Sequence, residues 1–210
     1  MKEALNYFSK MAENKNTTAT SVKINPINDF TVYDAEFILR YANPQSHILD
    51  LGSGTGLILN KIYNKVGKIT AVEPFETFTK FIQKSPNIEV FNQTLSDFEP
   101  KDTYNLLTLF GIMQYFSESE ASQLYKKYFS TLKNGGKIIV KNQLGVIEDV
   151  VVSGYSEELK TNYFSHYRHI DKEISMLKKV GYKNVQVFDI YPPECNRWDN
   201  THFYAIVAEK

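Results

Sequence analysis

The residues best equipped for chemistry begin with the run Ile48-Leu49-Asp50-Leu51-Gly52-Ser53-Gly54-Thr55-Gly56 and with Glu73, which closes the next apolar stretch. Glycines permit a tight turn and let a ligand lie against bare backbone. A carboxylate at the end of the following strand can accept hydrogen bonds from both hydroxyls of an adenosine ribose. Pro74 suits the first position of a helix and holds Glu73 extended. The spacing is G-x-G-x-G. The third glycine of a dinucleotide-binding G-x-G-x-x-G would fall on Leu57, and no Gly-Lys-Ser/Thr follows as in a phosphate-binding P-loop.

A second group lies later in the chain. Residues 142–170 form a long insertion ending in Tyr163-Phe164-Ser165-His166-Tyr167-Arg168-His169, and 191–201 is another irregular stretch. Long loops in compact domains are commonly functional. His166 and His169 are the candidate general bases, because an imidazole titrates near neutral pH. Arg168 could clamp a carboxylate or phosphate. Tyr167, Lys141 and Asn142 are further candidates for contact with a substrate, and His202 and Trp198 stand beside the second stretch. Each also has a plain alternative: a surface or helix-edge position for either histidine, a nearby acid as partner for Arg168, and core or loop-supporting roles for the rest. His-x-x-His without a third ligand does not make a metal site, and no metal is expected.

Positioning these groups takes alternating strands and helices. Ala35, Ile38, Leu39 and Ala42 follow helical spacing, and His47–Leu51 is a short apolar strand. Ile58, Ile62 and Val66 mark a helix, 68–73 a strand, 75–84 a helix, and 88–91 and 105–110 further strands. Ser117 with Glu120 forms a capping-box pattern ahead of the apolar face Ala121, Leu124, Tyr125, Tyr128, Phe129 and Leu132, and Gly135-Gly136 stops that helix. A strand at 137–140, a helix at 171–180 and strands at 185–190 and 202–208 complete the series. Such alternation implies βαβ units and a mainly parallel sheet. The final two strands lack a helix between them and are therefore expected to be antiparallel.

The 210 residues fit one domain, 1–210, with 42% hydrophobic and 23% charged residues. Its first 30 residues hold a short helix and a polar, lid-like segment. Net charge is zero, which argues against a nucleic-acid partner. The single cysteine, Cys195, cannot form an internal disulfide and suits a reducing compartment. No run approaches the roughly 18 apolar residues of a membrane span, and the N-terminal stretch lacks a signal-peptide core. A cytoplasmic monomer or homodimer, with no membrane partner, is the expectation.

Leu49-Asp50-Leu51-Gly52-Ser53-Gly54-Thr55-Gly56 resembles the first motif of the class I S-adenosylmethionine-dependent methyltransferases. Ala71-Val72-Glu73-Pro74 resembles their second, acidic motif, and Lys133-Asn134-Gly135-Gly136-Lys137 the turn before their fifth strand. The likeness covers residues 30–140 and the remainder in outline. It implies a Rossmann-like three-layer α/β sandwich whose seven-stranded sheet is mostly parallel with an antiparallel last strand. It also implies S-adenosylmethionine as cofactor, with Asp50, Gly52, Ser53 and Gly54 at its amino-acid end, Glu73 on the ribose and Pro74 or Phe75 at the adenine. The family often places an Asp and a small apolar residue after its third strand. Here Thr94 and Leu95 take those places. Phe110 would sit near the methionine part, with Gln114 and Tyr115 beyond it on the substrate side. Metal-dependent members carry a carboxylate cluster after the fourth strand, where this chain has Phe110-Gly111-Ile112-Met113-Gln114. The expected reaction is methyl transfer to a small-molecule polar acceptor, at an oxygen of a sugar-like or carboxylate-bearing metabolite. The alternatives are a small amine as acceptor, or cofactor binding without catalysis.

Overall fold

A computed structural model describes residues 2–14, 17–20, 29–193 and 199–210. Cys195 and Trp198 lie outside the described residues. The strands are β1 (His47–Leu51), β2 (Lys68–Val72), β3 (Ile88–Phe91), β4 (Tyr104–Phe110), β5 (Leu132–Gly145), β6 (Val150–Ser156), β7 (Thr161–Tyr167), β8 (Lys183–Asp189) and β9 (Thr201–Glu209). The helices are α1 (Lys2–Glu13), α2 (Thr31–Leu39), α3 (Leu59–Ile62), α4 (Glu76–Thr79), α5 (Glu118–Phe129) and α6 (Ile170–Val180).

Seven strands form one sheet in the order β3-β2-β1-β4-β5-β9-β8, and β6 pairs with β7 in a separate hairpin. β1 runs parallel to both β2 and β4, while β9 lies antiparallel between β5 and β8. The apolar runs of β1 and β2 are buried along almost their whole length, as strands covered on both faces must be. One core layer joins the sheet to α5 and α6 through residues such as Leu109, Leu124, Tyr128 and Leu177. The other joins it to α2 and α3 through Phe37, Ile38, Ile48, Leu59 and Val207. Strand order reverses between β1 and β4, so a crevice for a ligand opens at their carboxyl ends, where Gly52, Glu73 and Gly111 follow the strands. Among the described residues no helix is long and apolar enough to cross a membrane.

α5 begins as its cap pattern requires. Ser117 Oγ accepts from the Glu120 backbone N–H at 3.3 Å, and Glu120 Oε2 accepts from the Ser117 N–H at 2.8 Å. Two other expected helices shrink to single turns. The helix expected around Ile58, Ile62 and Val66 is α3 plus a 3₁₀ turn, Tyr63–Lys65, and the one at 75–84 is α4. Side-chain amides compete for the backbone there. Asn60 bonds to Phe81 O and Gln83 N, and Asn87 donates to Tyr63 O and Val66 O.

The Gly135-Gly136 stop is instead a bulge within β5, which resumes its register with β4 at Lys137 and runs on to Gly145. The insertion 142–170 is no irregular loop. Its β-branched and aromatic stretches pair as β6 and β7, with Val150 opposite Tyr167 and Ser156 opposite Thr161.

Candidate active site

The glycine loop folds back onto the end of β2: Gly52 and Ser53 both donate their N–H to Val72 O, at 2.8 and 3.1 Å. Gly56 adopts φ +74°, and a Cβ there would stand 2.6 Å from Ile82 Cγ1 and 3.2 Å from Ile82 Cα. Only glycine allows both that backbone and that approach. Asp50 is buried, which raises its pKa, against the Thr108 hydroxyl that donates to it at 2.5 Å.

Glu73 is 6% exposed, and burial lifts its carboxyl to about 7. The N–H groups of Phe75 and Gly54 oppose that rise by donating to Oε1 at 3.2 Å and Oε2 at 3.0 Å, while the Asp50 charge adds to it. Asn92 supports the acid from behind, donating to Glu73 O and Thr79 Oγ1 at 3.0 Å each. Pro74 and Phe75 are half-buried beside it, and the Phe75 ring meets Phe78 edge-on. Thr94 donates to Asp97 Oδ2 at 2.6 Å. Leu95 is buried in the α5-side core, with its carbonyl accepting from Tyr128 OH. The N-terminal segment reaches this loop, since Thr55 Oγ1 donates to Ala19 O.

On the other side of the crevice α1 packs against β7. Tyr7 meets Tyr163 and Phe8 meets Tyr115, with ring centres 5.1 and 5.2 Å apart. Burial holds the Tyr115 phenol well above its ordinary pKa, helped by Tyr163 and opposed by Gln114, and Tyr167 is buried nearby. Tyr163 OH lies 2.7 Å from Ser165 Oγ. Gln114 Oε1 and both polar side-chain atoms of Asn142 are buried without a partner among the described residues.

Three residues expected to act on this side have partners within the protein. Arg168, expected to clamp a substrate anion, is 1% exposed. It donates to Glu173 Oε2 at 2.6 Å, to Phe116 O at 2.7 Å and to Met113 O at 2.7 Å. Tyr125 OH donates to the same Glu173. With a further bond from Arg168 Nη2 to Glu173 Oε1 at 3.3 Å, four of the five guanidinium N–H donors are engaged within the protein. His169 is the N-cap of α6: its Nδ1 accepts from the Asp171 N–H and its Nε2 lies 3.3 Å from Val146 O, so both ring nitrogens have partners within the protein. His166 Nε2 lies 2.9 Å from Asp149 Oδ2, in a junction that also draws in the His169 N–H and Lys172.

Lys141 is equally occupied. It donates to Tyr191 OH at 2.8 Å and lies 3.5 Å from Asp34 Oδ2, with Tyr191 OH donating to Asp34. Its ammonium is ringed by Phe110, Tyr191 and Phe203, at 5.5, 4.9 and 5.7 Å from their ring centres. Phe110 itself is half-buried at the end of β4, packed toward α2. Asp34 and Tyr191 were not anticipated. An acid inside the apolar stripe of α2, between residues that pack inward, was the available signal.

Residues 48–136 match the family model described as a methyltransferase domain. Among solved structures, a SAM-dependent methyltransferase from Leishmania major superposes with a TM-score of 0.74 at 16% identity, covering 98% of this chain and 83% of that one. DhpI in complex with S-adenosylhomocysteine gives 0.73 at 15%, covering 98% and 94%. The 1,6-didemethyltoxoflavin-N1-methyltransferase of Burkholderia thailandensis, with that ligand and S-adenosylhomocysteine bound, gives 0.72 at 12%, covering 98% and 89%. No curated protein matches in sequence. Residues 48–136 are thus similar to a methyltransferase domain. The chain has the fold of the class I S-adenosylmethionine-dependent methyltransferases.

The residues present fit that cofactor. A ribose diol needs a desolvated carboxylate with lone pairs to spare, and Glu73 supplies one that no cation neutralises in the described structure. The turn of the glycine loop offers bare backbone next to it.

Proposed function

We propose that the protein transfers a methyl group from S-adenosylmethionine to a small, polar, uncharged acceptor. In this reading the acceptor binds between the carboxyl ends of β4 and β5 and the β6–β7 hairpin. The observation that carries it is the buried Glu73 carboxylate, met by two backbone N–H groups and by no cation among the described residues, beside the glycine loop and one strand from the point where strand order reverses. When bound, S-adenosylmethionine supplies a methyl on a sulfonium that is already activated.

The protein's own part is to orient the acceptor and exclude water. α1 closes that side with Tyr7 and Phe8, the turn after β4 with Tyr115 and the hairpin with Tyr163, and Tyr115 stays protonated and can donate a hydrogen bond. A carboxylate-bearing acceptor loses support because Arg168 and Lys141 are both engaged within the protein. His166 and His169 serve as joints of the hairpin, and oxygen or nitrogen remains open as the methylated atom. The zero net charge and lone cysteine support a small-molecule partner and a cytoplasmic setting.

Calorimetric titration with S-adenosylhomocysteine and with NAD tests the proposal. Binding of the first with Glu73-dependent affinity is expected. Binding of NAD alone would overturn it.

A further inference from the structure

Asn142, on β5, is 2% exposed, yet neither its Oδ1 nor its Nδ2 has a hydrogen-bond partner among the described residues. Gln114, 7% exposed in the turn after β4, has an unpartnered Oε1. Buried amides almost always find partners, because desolvating them unpaired is costly. These two stand on neighbouring elements, since the Gly111 N–H donates to Lys141 O at 2.7 Å and ties the β4 turn to β5.

Strand alternation puts Asn142 on the face of Val140 and Leu144, opposite Tyr204 of β9, and away from the Lys141 cluster. Arg168 is paired with Glu173 and Lys172 with Asp149, which also lies 2.9 Å from His166 Nε2. What remains beside Gln114 is aromatic, with Tyr115 against Phe8 and Tyr163 against Tyr7. Such a place offers planar hydrogen bonding and ring surface, while Arg168 and Lys172 are held by acids of the protein itself.

We propose that Asn142, with Gln114, reads the donor–acceptor edge of an uncharged, planar nitrogen heterocycle, and that this ring is the methyl acceptor. The inference rests on the methyltransferase reading above. A carboxamide presents an acceptor and a donor in one plane, the geometry by which Asn or Gln grips the N6/N7 edge of adenine. Gln114 Oε1 accepts one further N–H or hydroxyl. In the transfer, a ring nitrogen lone pair forms the new C–N bond while the methyl–sulfur bond breaks and sulfur keeps its electron pair. The ring then releases its N–H proton to solvent.

The test is calorimetry on the full chain saturated with S-adenosylhomocysteine, using cytosine as the heterocyclic probe and benzoate as an anionic ring. Cytosine is expected to bind at least about tenfold more tightly than benzoate, and Asn142→Leu to weaken cytosine at least about tenfold. Asn142→Leu should leave S-adenosylhomocysteine affinity unchanged and the melting temperature equal or higher, since it removes an unpaired buried amide. Benzoate binding as tightly as cytosine, or cytosine affinity indifferent to the substitution, overturns the inference. So does a lowered melting temperature, which would mean that the amide is paired within the protein. Should Asn142→Leu not fold, Gln114→Met in the same titration decides: weaker cytosine binding supports the inference and unchanged binding overturns it. Failure of S-adenosylhomocysteine itself to bind would instead refute the cofactor reading.

Discussion

Glu73 follows β2 and Asp149 precedes β6, and the protein treats the two carboxylates in opposite ways. Glu73 is buried with two backbone N–H groups and no cation, and its carboxyl is held up at about 7. Asp149 is also pushed up by burial, but Lys172, the His169 N–H and His166 outweigh that and hold it at about 2. A carboxylate kept short of partners has affinity to spend on a ligand, whereas a saturated one is a joint. The same contrast separates Asn142, without a partner among the described residues, from Arg168, held by Glu173 and two backbone carbonyls.

The signs of the pH effects follow. Glu73 has its pKa raised above the ordinary 4.5, so its contribution to stability is complete below 4.5 and is lost as pH rises to about 7. Asp149 has its pKa depressed, so its contribution is present above the ordinary 3.8 and is lost as pH falls toward about 2.

The sharpest break in the comparison should come from Arg168→Met, which strands Glu173 in the core. Urea unfolding should show a loss of about 3–5 kcal/mol, and Arg168→Met with Glu173→Leu should recover most of it. If Arg168→Met instead costs nothing while acceptor binding fails, the guanidinium belongs to a binding site after all.

Next in size is Glu73→Ala, expected to weaken S-adenosylhomocysteine about 100-fold, roughly 2.7 kcal/mol, in calorimetry. Unchanged affinity would place the ribose elsewhere. His166→Ala should lower stability by about 1 kcal/mol and leave that affinity within about twofold. A large loss of affinity would erase the distinction between the two carboxylates. Ser117→Ala, remote from both, should cost about 1 kcal/mol through the α5 cap and nothing in binding.

These regions differ just as much in how far the sequence discloses them. The glycine loop and Glu73 are legible because their chemistry depends on local spacing within one βαβ unit. The joint is not, because its meaning lies in long-range pairing. Asp149 reaches His166 across the hairpin, and Arg168 meets the carbonyls of Met113 and Phe116 on another element. A histidine beside an arginine looks identical in sequence whether it is free or tied down. The β6–β7 hairpin could have been read from Val150-Val151-Val152, whose β-branched run favours a strand. The shortened α3 could not, since the amides of Asn60 and Asn87 show their competition only once the fold is formed.

The central claim is that Glu73 is the open carboxylate of the cofactor site. Titrating S-adenosylhomocysteine at several pH values, in buffers of different ionisation enthalpy, tests it most directly. Ribose hydroxyls favour the charged carboxylate, so binding should release protons. That release should approach about one proton as pH drops to about 6 and fade above about 8, with affinity declining below about 7. Glu73→Gln should abolish the release. Proton release that survives Glu73→Gln, or binding with none at any pH, would contradict the account.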